Sequence, residues 1–138
     1  MAFKQSHAVR LLDPSRETFG SIIGSDLEIF GRIVATKSTR IDGTIIGDVE
    51  SKQGADLCIA LGKTGLVQGN ISAPRVLLAG RVEGNVRATE RVELHSGADV
   101  HGDIVYAQIG IEHGARLSGL LSKITDQEML IDDGSGTE

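Results

Sequence analysis

Apolar residues recur along the middle of this chain in one five-residue arrangement: apolar, any, glycine, any, apolar. It occurs as Ile29-Phe30-Gly31-Arg32-Ile33, Ile45-Ile46-Gly47-Asp48-Val49 and Val67-Gln68-Gly69-Asn70-Ile71. It returns as Val82-Glu83-Gly84-Asn85-Val86, Val100-His101-Gly102-Asp103-Ile104 and Leu117-Ser118-Gly119-Leu120-Leu121. The glycines lie 16, 22, 15, 18 and 17 residues apart, the self-similarity of a repeat architecture. Within each unit the apolar residues alternate with period 2, which predicts half-buried strands. The glycine shares the apolar face, so it is expected to point inward, where backbone approaches closely or the strand bends. Further alternating pieces lie between the units: Val76-Leu77-Leu78, Val92-Glu93-Leu94 and Ile109-Gly110-Ile111. Ile41–Val49 matches Leu78–Val86 position by position at an offset of 37 residues, two repeats.

A helical reading fails, because glycine costs about 1 kcal/mol per helix position and no 3.6 period survives. A hairpin sandwich should be rich in Asn-Gly or Asp-Gly turns. Within residues 19–121 the sole match, Asp42-Gly43, lies inside a strand-like run. A repeat of this length suits three short strands and three corners per coil. The predicted fold is therefore all-β, a single-domain parallel β-solenoid of about six coils over residues 19–121. At about 4.8 Å per coil it makes a rod of roughly 30 Å. Each coil buries its apolar side only against its neighbours.

Composition agrees with a narrow aliphatic core: eighteen Gly, two Pro, three Phe, one Tyr and no Trp. The net charge of −5 is unevenly spread. Residues 1–18 carry +1 and read as a flexible leader, residues 19–121 carry −2, and residues 122–138 carry −4 and read as a flexible acidic tail. No strong basic patch exists, which argues against nucleic-acid binding. Cys58 is the sole cysteine and reads as a small packed side chain, so no internal disulfide is available. No run has the length of a membrane span or a secretory signal, and a cytoplasmic location is the expectation.

Candidate chemistry is thin. Asp48, Asn70, Asn85 and Asp103 share the place after the repeat glycine and read as a corner ladder bonded to local backbone rather than a metal site. His95, His101 and His113 form no column, and no zinc or catalytic site is expected of them. Gly62-Lys63-Thr64 resembles the end of a phosphate loop, but Leu57 stands where that motif needs glycine, and no helix follows. The expectation is no catalytic residue, no metal, no cofactor and no nucleotide.

The ends of the rod are more informative. A β-solenoid leaves an unpaired edge and an open apolar core at each tip unless it is capped. The N-terminal tip offers Phe19, Ile22, Ile23, Leu27 and Ile29, and the C-terminal tip offers Leu117, Leu120, Leu121 and Ile124. End-to-end stacking through these residues is the expectation. One outward position in successive coils is filled by Phe30, Ile46, Gln68, Glu83, His101 and Ser118. Phe30 and Ile46 make it apolar near the N-terminal tip, a candidate lateral patch.

The ordered Gly-[Asp/Asn]-[Ile/Val] units, the strand Val82–Val86 and the segment Gly97–Ile104 resemble the bactofilins, bacterial polymer-forming cytoskeletal proteins, over residues 19–121. The resemblance implies a right-handed β-helix of triangular section. It also implies nucleotide-independent, non-polar filaments that serve cell shape, often beside cell-wall enzymes. Met1-Ala2-Phe3-Lys4 resembles the family's membrane-targeting peptide, which implies Met1, Phe3 and Lys4 in contact with the inner face of the cytoplasmic membrane. Many members place a polymerisation Phe in the last coil, where this chain has Leu117. Two rival readings remain. A hexapeptide-repeat acyltransferase or carbonic anhydrase needs a sustained six-residue period, and the spacing here drifts. A monomeric solenoid adaptor needs polar, proline-bearing or helical caps.

Overall fold

In a computed structural model, residues 19–125 are described, and the described chain is strand and corner throughout. The first coil runs through β1 (Ser21–Ile23), β2 (Glu28–Phe30) and β3 (Ile33–Ala35), and the second through β4 (Thr39–Ile41), β5 (Thr44–Ile46) and β6 (Val49–Ser51). The third takes β7 (Cys58–Leu61), β8 (Leu66–Gln68) and the first half of β9 (Ile71–Leu78). The fourth takes the second half of β9, β10 (Arg81–Glu83) and the first half of β11 (Val86–Leu94). The fifth takes the second half of β11, β12 (Asp99–His101) and β13 (Ile104–Tyr106), and the sixth β14 (Ile109–Ile111), β15 (Arg116–Ser118) and β16 (Leu121–Lys123). Every strand pairs in parallel with its equivalent in the adjacent coil, which gives a β-solenoid of six coils and three faces.

Register converts the repeat into three columns of inward side chains. One face stacks Ile23, Ile41, Leu61, Leu78, Leu94 and Ile111. The next stacks Ile29, Ile45, Val67, Val82, Val100 and Leu117. The third stacks Ile33, Val49, Ile71, Val86, Ile104 and Leu121. In the four middle coils all twelve of these side chains are essentially inaccessible. Each contributes about 1.5–3 kcal/mol by leaving water. The interior is one coil wide, which accounts for a core of Ile, Val, Leu and Ala without Trp.

The repeat glycine does not lie within a strand, as the pattern alone predicts. Each strand of the second face ends one residue before it, and the chain turns there onto the third face. The backbone explains why: Gly31, Gly47, Gly69, Gly84, Gly102 and Gly119 have φ between +131° and +156°, which side-chain-bearing residues rarely adopt. From the second coil onward, a Cβ here would land on the carbonyl oxygen of the glycine one coil earlier. The two flanking apolar residues therefore belong to two different faces and meet in the core. Asp42-Gly43 is likewise a corner, between β4 and β5, and not strand interior.

The 22-residue spacing is absorbed at one place. Residues 52–57 loop out between β6 and β7, closed by a bond from the Ala55 amide to the Lys52 carbonyl (2.9 Å). The flanking strands keep their register, and Leu57 is buried. In the third and fourth coils the same corner is so shallow that strand pairing runs through it, with one register shift between Ala88 and Arg91.

The glycine column sets a graded expectation. Gly84→Ala combines an unfavourable φ with a clash against backbone and should cost about 3 kcal/mol or more. Gly31→Ala meets nothing within 4 Å and should cost about 1–2 kcal/mol, for its φ alone. Urea denaturation of the two variants checks this, and equal losses would refute the backbone clash.

Candidate functional site

The two tips are where the column logic stops. Ile23, Ile29 and Ile33 of the first coil are only half-buried, although their partners Ile41, Ile45 and Val49 are fully buried. At the other end Ile111 and Leu121 are exposed and Leu117 is half-buried, while their partners Leu94, Val100 and Ile104 are inaccessible. Seven large hydrophobic side chains are exposed among the described residues: Ile22, Leu27, Phe30, Val34, Ile111, Leu120 and Leu121. The first four belong to the first coil and the last three to the sixth. The middle coils contribute none. Scattered surface hydrophobics are ordinary, but their segregation to two ends of a rod is not.

The sequence-derived tip residues fall into distinct places. Ile22, Ile23, Leu27 and Ile29 lie in the first coil, and Leu117, Leu120 and Leu121 in the sixth. Ile124 follows β16 and is buried, its amide bonded to the Tyr106 carbonyl (2.6 Å). Phe19 is not on the tip surface. It packs on the outside of the solenoid against Cys58, Ala60 and Leu77. Val34 and Ile111 are exposed tip residues that pattern reasoning passed over. Their signal was available: Val34 alternates with Ile33 and Ala35, and Ile111 ends the last inward triplet on its face.

Corners change character at the tips as well. The Asp48 Oδ1 accepts from the Asn70 amide, and the Asn70 Oδ1 from the Asn85 amide (both 2.9 Å). The Asn85 Oδ1 accepts from the Asp103 amide (2.9 Å), and the Asp103 Oδ1 from the Leu120 amide (3.0 Å). This is a local backbone ladder. It starts one coil after Arg32 and ends at Leu120, neither of which offers a side-chain oxygen. At the neighbouring corner, Leu27 stands in the column continued by Gly43, Gly65, Gly80, Ala98 and Ala115. There a Cβ on Gly43 would strike the Leu27 carbonyl, and one on Gly80 the Gly65 carbonyl.

The other candidates are corners or strand pairs. Gly62-Lys63-Thr64 is a corner between β7 and β8, with the Thr64 hydroxyl donating to the Asp42 carbonyl (2.7 Å). His95 Nε2 sits 3.0 Å from Glu93, and His101 Nε2 3.1 Å from Asp99, each a carboxylate two residues away. Phe30 and Ile46 are paired in register at the head of the column that continues through Gln68, Glu83, His101 and Ser118. Phe30 is 72% exposed and Ile46 half-buried. Met1, Phe3 and Lys4 lie outside the described residues. Among the described residues no helix is long and apolar enough to cross a membrane.

The described residues form a parallel β-solenoid of six coils whose exposed large hydrophobic side chains lie in its first and last coils. Residues 21–122 match the family model described as "Bactofilin: Polymer-forming cytoskeletal". The chain belongs to the bactofilin family, whose members are polymer-forming cytoskeletal proteins. It is 34% identical over 99 residues to Bactofilin BacO of Myxococcus xanthus, covering 72% of this chain and 75% of BacO. It is 29% identical over 108 residues to Bactofilin BacP of the same organism, covering 78% of this chain but 43% of BacP. No solved structure matches.

The lateral patch gives an expectation separable from the core. Phe30→Ser with Ile46→Ser should shift the thermal midpoint by less than about 3 °C, because neither side chain is in an inward column. It should alter the bundling of polymers seen by electron microscopy. A large loss of stability would show that these side chains serve the core instead.

Proposed function

We propose that this chain is a cytoskeletal scaffold whose subunits join end to end through their apolar tip coils, without nucleotide, into non-polar filaments. The observation that carries the reading is that, among the described residues, all seven exposed large hydrophobics lie in the first and last coils. Burying about 500 Å² of apolar surface at a joint supplies on the order of 10 kcal/mol before the costs of association. Like-to-like joints are favoured by the corners. A sixth coil stacked directly beneath a first coil would bring its backbone against Leu27, where the solenoid elsewhere tolerates only Gly or Ala. It would also face Arg32 with Leu120, so the side-chain ladder would not continue. A joint between equivalent tips escapes both constraints.

Two extensions rest on the family resemblance and on charge. The segment Met1–Lys4 pairs an apolar Phe3 with a basic Lys4 and is suited to weak contact with the inner face of the cytoplasmic membrane. One such peptide anchors feebly, and a filament displaying many copies gains by avidity. A membrane-bound scaffold of this kind would organise cell-shape or cell-wall machinery.

Two measurements test these readings. Purified protein without nucleotide should give filaments in negative stain, and Leu121→Arg should abolish them while leaving the fold intact. If tips join like to like, that variant still joins through its first coil and sediments as a dimer. Monomers of the variant would favour head-to-tail joints, and an unmodified protein that stays monomeric at every salt concentration would end the filament reading. For the membrane, Phe3→Ser with Lys4→Ser should remove co-sedimentation with anionic vesicles and leave polymerisation unchanged. Undiminished binding by the variant would refute a role for that peptide.

A further inference from the structure

The outward side chains form columns as regular as the inward ones. Ile22 heads the column of the first face, which passes through Arg40, Ala60, Leu77 and Glu93 to Gly110. This face is hidden from water through the third to fifth coils, where Ala60, Leu77 and Glu93, with the neighbouring Cys58, are at most 5% exposed. Phe30 heads the column of the second face, which ends at Ser118. Val34 heads that of the third, which ends at Ser122. All three heads are apolar and in water: Ile22 is 66% exposed, Phe30 72% and Val34 45%. The three ends are a glycine and two serines. The first coil therefore wears an apolar collar on every side, and the sixth coil wears none. The exposed apolar residues of the sixth coil are of another kind, since Ile111 and Leu121 belong to inward columns and Leu120 to a corner.

The collar residues lie at one level of the rod and point in three directions. A neighbour lying alongside meets one of them. A coil stacked on the tip meets all three, because coils about 4.8 Å apart bring the outward side chains of one column into contact. Ile46, half-buried beside Phe30 in the same column, shows this within the chain. A second copy has two ends to offer. Its sixth coil would set Gly110, Ser118 and Ser122 at that outer ring, whereas its first coil would set Ile22, Phe30 and Val34 there. The first coil alone buries apolar surface on both sides of the ring. Charge agrees: Asp26 and Glu28 against Arg32 and Lys37 leave the first coil neutral, while the sixth holds Glu112 against Arg116 and Lys123.

We propose that the joint between two first coils is the tighter of the two kinds of joint, held by the collar as well as by the open core. The soluble unit of assembly is then a dimer joined at its N-terminal tips, and filaments grow from it through joints between sixth coils. This rests on the like-to-like reading above and adds which joint forms first and which residues set that order.

Dilution of the unmodified protein, followed by sedimentation, should show two steps: filaments give dimers, and dimers give monomers at a concentration lower by about tenfold or more. Leu121→Arg keeps only the first-coil joint and should reproduce the second step. Adding Ile22→Ser and Val34→Ser to it should raise the dimer dissociation constant by about tenfold or more. The urea midpoint should stay within error, because both side chains point away from the core. Both also lie off the second face, so the Phe30–Ile46 patch is untouched. An unchanged dissociation constant would remove the collar from the joint and overturn the proposal. Filaments that dissolve directly into monomers would overturn it too, without any variant having to fold. A second step that Leu121→Arg fails to reproduce would give the tighter joint to the sixth coils, with the same consequence. Leu121→Arg that is monomeric at every concentration, beside unmodified protein that forms filaments, would end the like-to-like reading itself and the proposal with it.

Discussion

Each coil of this chain leaves its backbone hydrogen bonds and its apolar side chains to be completed by the coils on either side. Parallel pairing at every strand sets the distance between coils, and that distance decides which residues are allowed. At the Gly47 to Gly119 column the next backbone is so near that no Cβ fits. Between those glycines the inward residues form three aliphatic columns, and the Asp/Asn ladder closes the amides that the turns leave open. The corners vary in length, from the looped-out residues 52–57 to strands that run straight through, because only the strand registers are held by the stack.

The same dependence makes the two ends unlike the middle. Among the described residues the first coil has no preceding carbonyl beneath Gly31, and the sixth coil has no successor to cover Ile111 or Leu121. In an isolated chain these groups meet water. A second subunit is the natural completion, and the side chains at the end corners restrict how it arrives. Leu27 occupies a column of glycines and alanines, and Leu120 closes a ladder of oxygens. Both residues permit an apolar contact and resist simple continuation of the coil. Completion of these tips by a second subunit would draw on the same apolar burial that holds the coils together.

Much of this was legible in the residues. The period-2 alternation placed the outward column from Phe30 to Ser118 in the register the structure shows, and the match of Ile41–Val49 to Leu78–Val86 corresponds to two coils. The glycines were placed inside strands because alternation counts faces and does not register that two faces can meet at a bend; the positive φ that makes the bend leaves no mark beyond the glycine itself. Phe19 precedes the first strand, and position in sequence does not reveal that its side chain packs on the outer cluster of Cys58, Ala60 and Leu77. The hidden face was illegible for a related reason. Val76-Leu77-Leu78 and Leu57-Cys58-Ile59-Ala60-Leu61 are apolar on both sides, which a pattern reads as a buried strand without saying what lies over its outer side.

That hidden face constrains the rest of the surface. A three-sided rod offers three directions for lateral contact, and here one of them, through the third to fifth coils, is already withdrawn from water at Cys58, Ala60, Leu77 and Glu93. The second face carries exposed ion pairs such as Arg81 with Asp99 (2.9 Å), which add little to stability but keep like surfaces apart or in register. Its apolar exception, Phe30 above Ile46, lies beside the N-terminal tip and is therefore repeated once per subunit, not once per coil. Lateral contacts made there would recur at the joints alone. In the end-to-end filament proposed above, such contacts would fall at intervals fixed by subunit length, with the polar stretches between them hydrated.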